Sequence, residues 1–297
     1  MDLLEELQLR ILPADGAMGT ELLRAGIPRE RCLEELCVSQ PDLVAGIHRA
    51  YLAAGARLIK TNSFGANAVR LAKHAFGHRV SELNWTAAQL AKESVKGTGA
   101  RVMGSVGPLG LSPAETKSAG INVEEVFTEQ IGALLDGGAR VILLETFTDL
   151  PELLTAIHVK HSLHHCPVIA SVACDSAGRL ADGTTLAEAF LQLKAADADL
   201  VAVNCVTPTP ALLSALVPLP ADLTLAAFPS AGIPGDPEES HPVSPEQFAR
   251  SGVALAQLGA RIIGGCCGAG TAHIAALVAA LGGEKPGADA GESSPRA

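Results

Sequence analysis

The sequence predicts an α/β protein built as a single (β/α)8 TIM barrel, and three observations carry that prediction. The tripeptide Gly-Ala-Arg recurs at Gly55, Gly99, Gly138 and Gly259, each time directly before a short apolar run. Its copies lie 44, 39 and 121 residues apart, the last close to three units of about 40. Eight apolar runs bounded by turn residues follow one another along the chain, with helical patterns between most of them. Strand alternating with helix implies a parallel sheet, and eight such units imply closure. The rival, a doubly wound open sheet, usually carries a Gly-rich phosphate loop after its first strand, and Asp15-Gly16-Ala17-Met18-Gly19 lacks the GxGxxG spacing.

The predicted strands lie near residues 11–14, 58–61, 102–106, 141–145, 168–173, 200–204, 223–228 and 261–264. Glycine just past a helix, followed by a short buried strand, is the expected end of an αβ unit. Asp197-Ala198-Asp199 fills that slot without glycine before the sixth strand. Upstream, the pattern is helical. Leu43, Ile47, Tyr51 and Ala54 form one apolar stripe over 42–55, and Phe248, Gly252, Leu255 and Leu258 repeat it over 246–258. The barrel is expected to occupy residues 1–281. Residues 282–297, rich in Gly, Pro, Ser, Ala and charge, are expected to form a loose tail.

Composition narrows the function classes. The 297 residues are 48% hydrophobic and 18% charged, enough for a sizeable core and unlike a disordered chain. With 22 Lys plus Arg against 32 Asp plus Glu, the formal charge of −10 disfavours nucleic acid and anionic membrane surfaces as partners. No run of 18 apolar residues appears, and the acidic start MDLLEELQLR is unlike a signal peptide, so a cytoplasmic protein is expected. Seven cysteines, an odd number, argue against a disulfide framework and direct attention to metal or redox chemistry.

In such barrels the active site is built at the C-terminal ends of the strands. Those ends carry Asp15, Thr61-Asn62-Ser63, Ser105 to Pro108, Glu145, Cys174-Asp175, Asn204-Cys205, Pro229-Ser230 and Gly264-Gly265-Cys266-Cys267-Gly268. Adjacent cysteines rarely close a relaxed disulfide with each other, and flanking glycines let the turn aim both sulfurs at one point. Cys205 is the natural third ligand, giving a three-cysteine centre with an open position suited to an incoming thiol. The expected chemistry is alkyl transfer to that thiol. Lone cysteines such as Cys32 and Cys166 are read as small apolar packers. Asp15 and Glu145 could hold a substrate ammonium or act as general acid and base, a metal-free alternative. Backbone N–H groups of residues 105–108 or 16–19 could receive a carboxylate. His48, His74, His78, His158, His161, His164 and His165 are read as solvated residues of helices and loops.

These motifs resemble the homocysteine S-methyltransferases. The resemblance rests on DGAMGTEL (15–22), HRAYLAAGARLIKTNSFGAN (48–67), GSVGP (104–108), LLETFTDL (143–150), VNC (203–205) and GGCCG (264–268), and runs from about Leu12 to Leu281. It implies zinc held by Cys205, Cys266 and Cys267, with the substrate sulfur taking the fourth position. It implies that Asp15 and Glu145 receive the homocysteine amino group and that backbone near Gly107 receives its carboxylate. One departure is Ser230, where methionine-synthase-type members carry an asparagine that can serve zinc without substrate. That leaves open what closes the resting centre.

The methyl donor is less legible. A chain of this length has no room for folate- and cobalamin-binding domains, so an external donor is expected. With one Trp, one Tyr and seven Phe, and only Phe64 and Phe147 beside the predicted rim, a betaine cage is disfavoured. A sulfonium such as S-methylmethionine or S-adenosylmethionine is the expected donor. Methylcobalamin on a separate protein, or a non-catalytic zinc- and thiol-binding module, are the alternatives.

Overall fold

A computed structural model describes residues 1–217, 220, 223–232 and 243–282. The expected tail lies outside the described residues except for Gly282. Eight strands, β1 (Leu12–Pro13), β2 (Leu58–Lys60), β3 (Arg101–Val106), β4 (Val141–Phe147), β5 (Val168–Ala173), β6 (Leu200–Asn204), β7 (Leu225–Phe228) and β8 (Ala260–Ile263), form one parallel sheet in the order β1-β8-β7-β6-β5-β4-β3-β2. A parallel bridge between Ala14 and Leu58 closes β1 on β2. Two backbone bonds support it: Asp15 N–H donates to Leu58 O at 2.9 Å and Arg57 N–H to Pro13 O at 2.7 Å. The result is the predicted TIM barrel.

The repeated junctions do what their composition requires. Gly55, Gly99, Gly138 and Gly259 all have positive φ, between +74° and +105°, the left-handed turn glycine adopts without a Cβ penalty. Asp197 takes the same conformation at φ +61°, a region Asp tolerates better than most residues. The predicted helices are Pro41–Ala53 and Pro245–Gln257. Two apolar layers result. Leu58, Met103, Leu143, Ile169, Ala202 and Phe228 fill the barrel interior, and the alternate strand residues pack outward against the helices. The first helix, Leu3–Leu9, inserts Leu3 and Leu7 into the interior layer.

The structure corrects two expectations. His48 is fully buried, not solvated. The stripe on its helix is wider than the sequence reading allowed, because Val44 and Leu52, one turn either side of His48, are buried too. Strand β4 was expected to end at Glu145 but continues to Phe147 through a register shift between Leu144 and Phe147. Thr146 at φ +66° causes it, an unusual conformation for a β-branched residue. Strict alternation from Leu143 and Glu145 would aim Phe147 inward. The irregularity turns it into the outer layer, 6.0 Å from the Phe127 ring. Phe147 therefore does not line the rim.

Candidate metal centre

Cys205 follows β6, and Cys266 and Cys267 follow β8. The chain folds tightly enough there to bring all three sulfurs together. Cys266 N–H donates to Pro229 O at 2.8 Å, Ala231 N–H to Cys267 O at 2.7 Å and Gly265 N–H to Asp15 O at 2.9 Å, tying the turn to β7 and β1. Gly268 makes this possible: at φ +76° any Cβ would lie 1.6 Å from the Gly232 carbonyl oxygen. Cys205 itself has φ +56°, so the backbone is strained to aim its sulfur.

The three Sγ atoms all lie within 4.8 Å of one another, and among the described residues no other group of three or more His, Cys, Asp or Glu offers a comparable metal-binding set. Cys205 and Cys267 are 3.8 Å apart. Tetrahedral zinc with bonds of about 2.3 Å spans sulfurs about 3.8 Å apart, so this pair already has metal-binding spacing. Cys205 and Cys266 approach most closely of all, their Cα atoms 5.5 Å apart. The donor set, soft sulfur only, fits zinc rather than a hard cation. Cys174, also at a strand end, stays outside the cluster with its thiol pushed up to about 12 by burial. Cys32 and Cys166 are buried packers.

A hydrogen-bonded frame surrounds the sulfurs. Asn204 is fully buried. Its Oδ1 accepts from Thr146 N–H at 2.9 Å and from Ser171 Oγ at 2.7 Å. Its Nδ2 donates to Thr146 Oγ1 at 2.7 Å and lies 3.8 Å from Cys266 Sγ. Thr146 Oγ1 is in turn 3.9 Å from Cys205 Sγ. The unusual turn at Thr146 thus places a hydroxyl beside one sulfur while Asn204 faces another. Ser230 does not point at the sulfurs, since its hydroxyl donates to Cys267 O at 3.1 Å.

Across the mouth lie the two predicted carboxylates, both buried. Asp15 Oδ2 accepts from Lys60 N–H at 2.9 Å. Burial pushes its carboxyl up to about 7; Lys60 opposes that shift and the Glu145 charge reinforces it. Glu145 Oε1 accepts a short hydrogen bond from Ser105 Oγ, and Ser105 N–H donates to Thr61 Oγ1 at 2.9 Å. At Gly107 any Cβ would strike the Phe64 ring at 2.4 Å, and the Gly107 N–H already donates to Phe64 O at 2.9 Å. Lys60, absent from the sequence reading, is buried in this mouth with its Nζ 2.8 Å from Gly265 O and 3.8 Å from Asp15 Oδ1. The signal for it was parity: Lys60 stands two residues after inward-facing Leu58.

The fold and the site together define a parallel barrel whose rim gathers three cysteines able to hold a metal and two buried carboxylates. The homocysteine S-methyltransferase family model matches residues 12–281. The chain belongs to that family. It is 31% identical over 301 aligned residues to the methionine synthases of Mycobacterium tuberculosis and Mycobacterium leprae, covering 94% of this chain. It spans only 25% of the length of those relatives. Among solved structures it resembles the homocysteine methyltransferase MmuM of Escherichia coli in its metallated form, at TM-score 0.74 and 28% identity, covering 91% of this chain and 96% of that one. The oxidized form of the same protein matches at TM-score 0.75.

Proposed function

We propose that this protein methylates the thiol of L-homocysteine, giving methionine, at a zinc centre held by Cys205, Cys266 and Cys267. The convergence of those three sulfurs beside two buried carboxylates carries the reading. Zinc bound by three thiolates would take up a fourth sulfur and favour loss of its proton while leaving it nucleophilic. Asp15 and Glu145 receive the amino group, with Ser105 holding one Glu145 oxygen so that the other stays available. Asn204 and Thr146 place N–H and O–H dipoles against the sulfurs and hold the turn in register. The reaction forms a carbon–sulfur bond on homocysteine and breaks the bond between methyl and donor.

The donor we favour is a sulfonium such as S-methylmethionine or S-adenosylmethionine, which leaves as a neutral thioether. The likeness to mycobacterial methionine synthases supports a second reading, in which the methyl group arrives from methylcobalamin on a separate protein. Among the described residues no helix is long and apolar enough to cross a membrane.

The test is reduced, zinc-replete protein incubated with homocysteine and a panel of methyl donors, scoring methionine. Chelated protein and Cys266→Ala should lose activity, and the variant should bind little zinc. Full activity in a verified zinc-free preparation refutes the mechanism, and homocysteine binding without turnover on any donor favours a binding module.

A further inference from the structure

Lys60 is a third charged group in the barrel mouth, and among the described residues its ammonium is incompletely paired. It is 7% exposed. Of the three Nζ hydrogens, one reaches Gly265 O at 2.8 Å. The Phe228 ring lies beside the ammonium, 5.3 Å from Nζ to centroid. Asp15 Oδ1 lies 3.8 Å from Nζ, inside ion-pair range and beyond hydrogen-bond range. That same Oδ1 is buried and has no hydrogen-bond partner. Once Asp15 is ionised, above about pH 7, an ammonium and a carboxylate thus face each other across an unclosed gap in a site shielded from water. A purely structural pair would be expected to close that gap, because a charge-assisted hydrogen bond left unmade in a dry site is strongly unfavourable.

The ligand class that completes both groups is an α-amino acid. Its ammonium can donate to Asp15 Oδ1 and its carboxylate can accept from Lys60 Nζ, so that four charges alternate in sign. Of the backbone amides at residues 105–108 and 16–19, those of Ser105, Gly107 and Ala17 are already committed, to Thr61 Oγ1, Phe64 O and Ala269 O. We propose that Lys60 is the carboxylate anchor of the homocysteine site and makes the protein selective for thiols that carry an α-carboxylate. This rests on the proposed function and names the residue that sets its substrate range.

The experiment compares two thiols on zinc-loaded protein by titration calorimetry: homocysteine, and 3-aminopropanethiol, which is homocysteine without its carboxylate. The wild type should prefer homocysteine. Lys60→Met should lower that preference by at least about 30-fold, the scale expected for removing one partner of a buried charge pair. Lys60→Arg, which keeps a cation, should retain most of it. Equal weakening of both thiols by Lys60→Met is the result expected of a lysine that only supports Asp15, and it overturns the assignment. Lys60→Gln, which keeps a donor for Gly265 O, gives the same readout should Lys60→Met fail to fold. A wild-type measurement is independent of any variant: 4-mercaptobutyrate should bind at least about tenfold tighter than 1-butanethiol, and equal binding overturns the proposal. If the wild type does not bind homocysteine at all, the proposed function fails; if it binds homocysteine and the preference is unmoved in Lys60→Met, only the role of Lys60 fails.

Discussion

Replacing Asp15 by Asn should flatten the pH dependence of stability, and the structure sets the size of the effect. Burial holds the Asp15 carboxyl at about 7 against an ordinary value of 3.8. Between those two pH values the folded chain keeps a proton that the unfolded chain has released. Stability therefore falls as pH rises through this window and levels off above 7; the contribution is fully present below 3.8. Each full pH unit is worth about 1.36 kcal/mol and the slope halves at the folded midpoint, so from pH 5 to pH 7 the wild type should lose about 2 kcal/mol more than Asp15→Asn. Asn keeps an acceptor for Lys60 N–H, so the variant removes charge and little else. Urea unfolding of reduced, chelated protein at several pH values measures it, and other titrating groups cancel in the difference. Curves that stay parallel within about 0.5 kcal/mol, or a steeper fall in the variant, would mean that Asp15 is not held protonated by its surroundings.

His48 should act in the opposite direction. Burial, helped by neighbouring Arg49, lowers its imidazole to about 4 from 6.5. The unfolded chain therefore gains the proton first, and stability present above 6.5 is lost as pH falls towards 4. Because both ring nitrogens lack partners, His48→Leu should remove about 3 kcal/mol of that acid sensitivity, read by the same unfolding series. Asn204→Leu should weaken zinc binding about 10- to 100-fold, measured by competition with a chromophoric chelator, since it strips the frame from Thr146 and Cys266. Unchanged affinity there would leave the amide with a packing role only.

Much of this was legible because it follows from local chemistry. The Gly-Ala-Arg junctions mark turns whose left-handed backbone glycine favours, and the runs after them are buried strands whichever helix covers them. The cysteines could be gathered in advance because a strand end and a Gly-flanked pair are both rim positions in a closed barrel. Phe147 was misplaced because a single positive φ at Thr146 breaks alternation, and Thr is the kind of residue least expected there. His48 is not legible as a core residue because the single stripe through Leu43, Ile47, Tyr51 and Ala54 omits the second buried row of Val44, His48 and Leu52. Lys60 is harder to read, since residue type alone favours solvent for a lysine and only its parity with Leu58 points inward. Instead its charge is held in the mouth by Gly265 O and Asp15.

The charges of that mouth also bear on the donor. In the proposed centre three thiolates would outweigh a divalent metal, and among the described residues of the mouth Asp15 and Glu145 outnumber Lys60, so this group would be negative when both carboxyls are ionised. A homocysteine zwitterion adds no net charge, and losing its thiol proton makes the mouth more negative still. Such a surface raises the local concentration of cations and stabilises a positive methyl donor beside the attacking sulfur. A sulfonium meets that field directly and discharges as the methyl group leaves. The sulfonium reading therefore carries an electrostatic signature: methionine formation from S-methylmethionine should slow steeply with added salt through a rising donor KM, whereas a neutral alkylating agent such as methyl iodide should respond far less. Equal salt dependence for the two would remove the argument from charge and leave delivery by a cobalamin-carrying protein the better account.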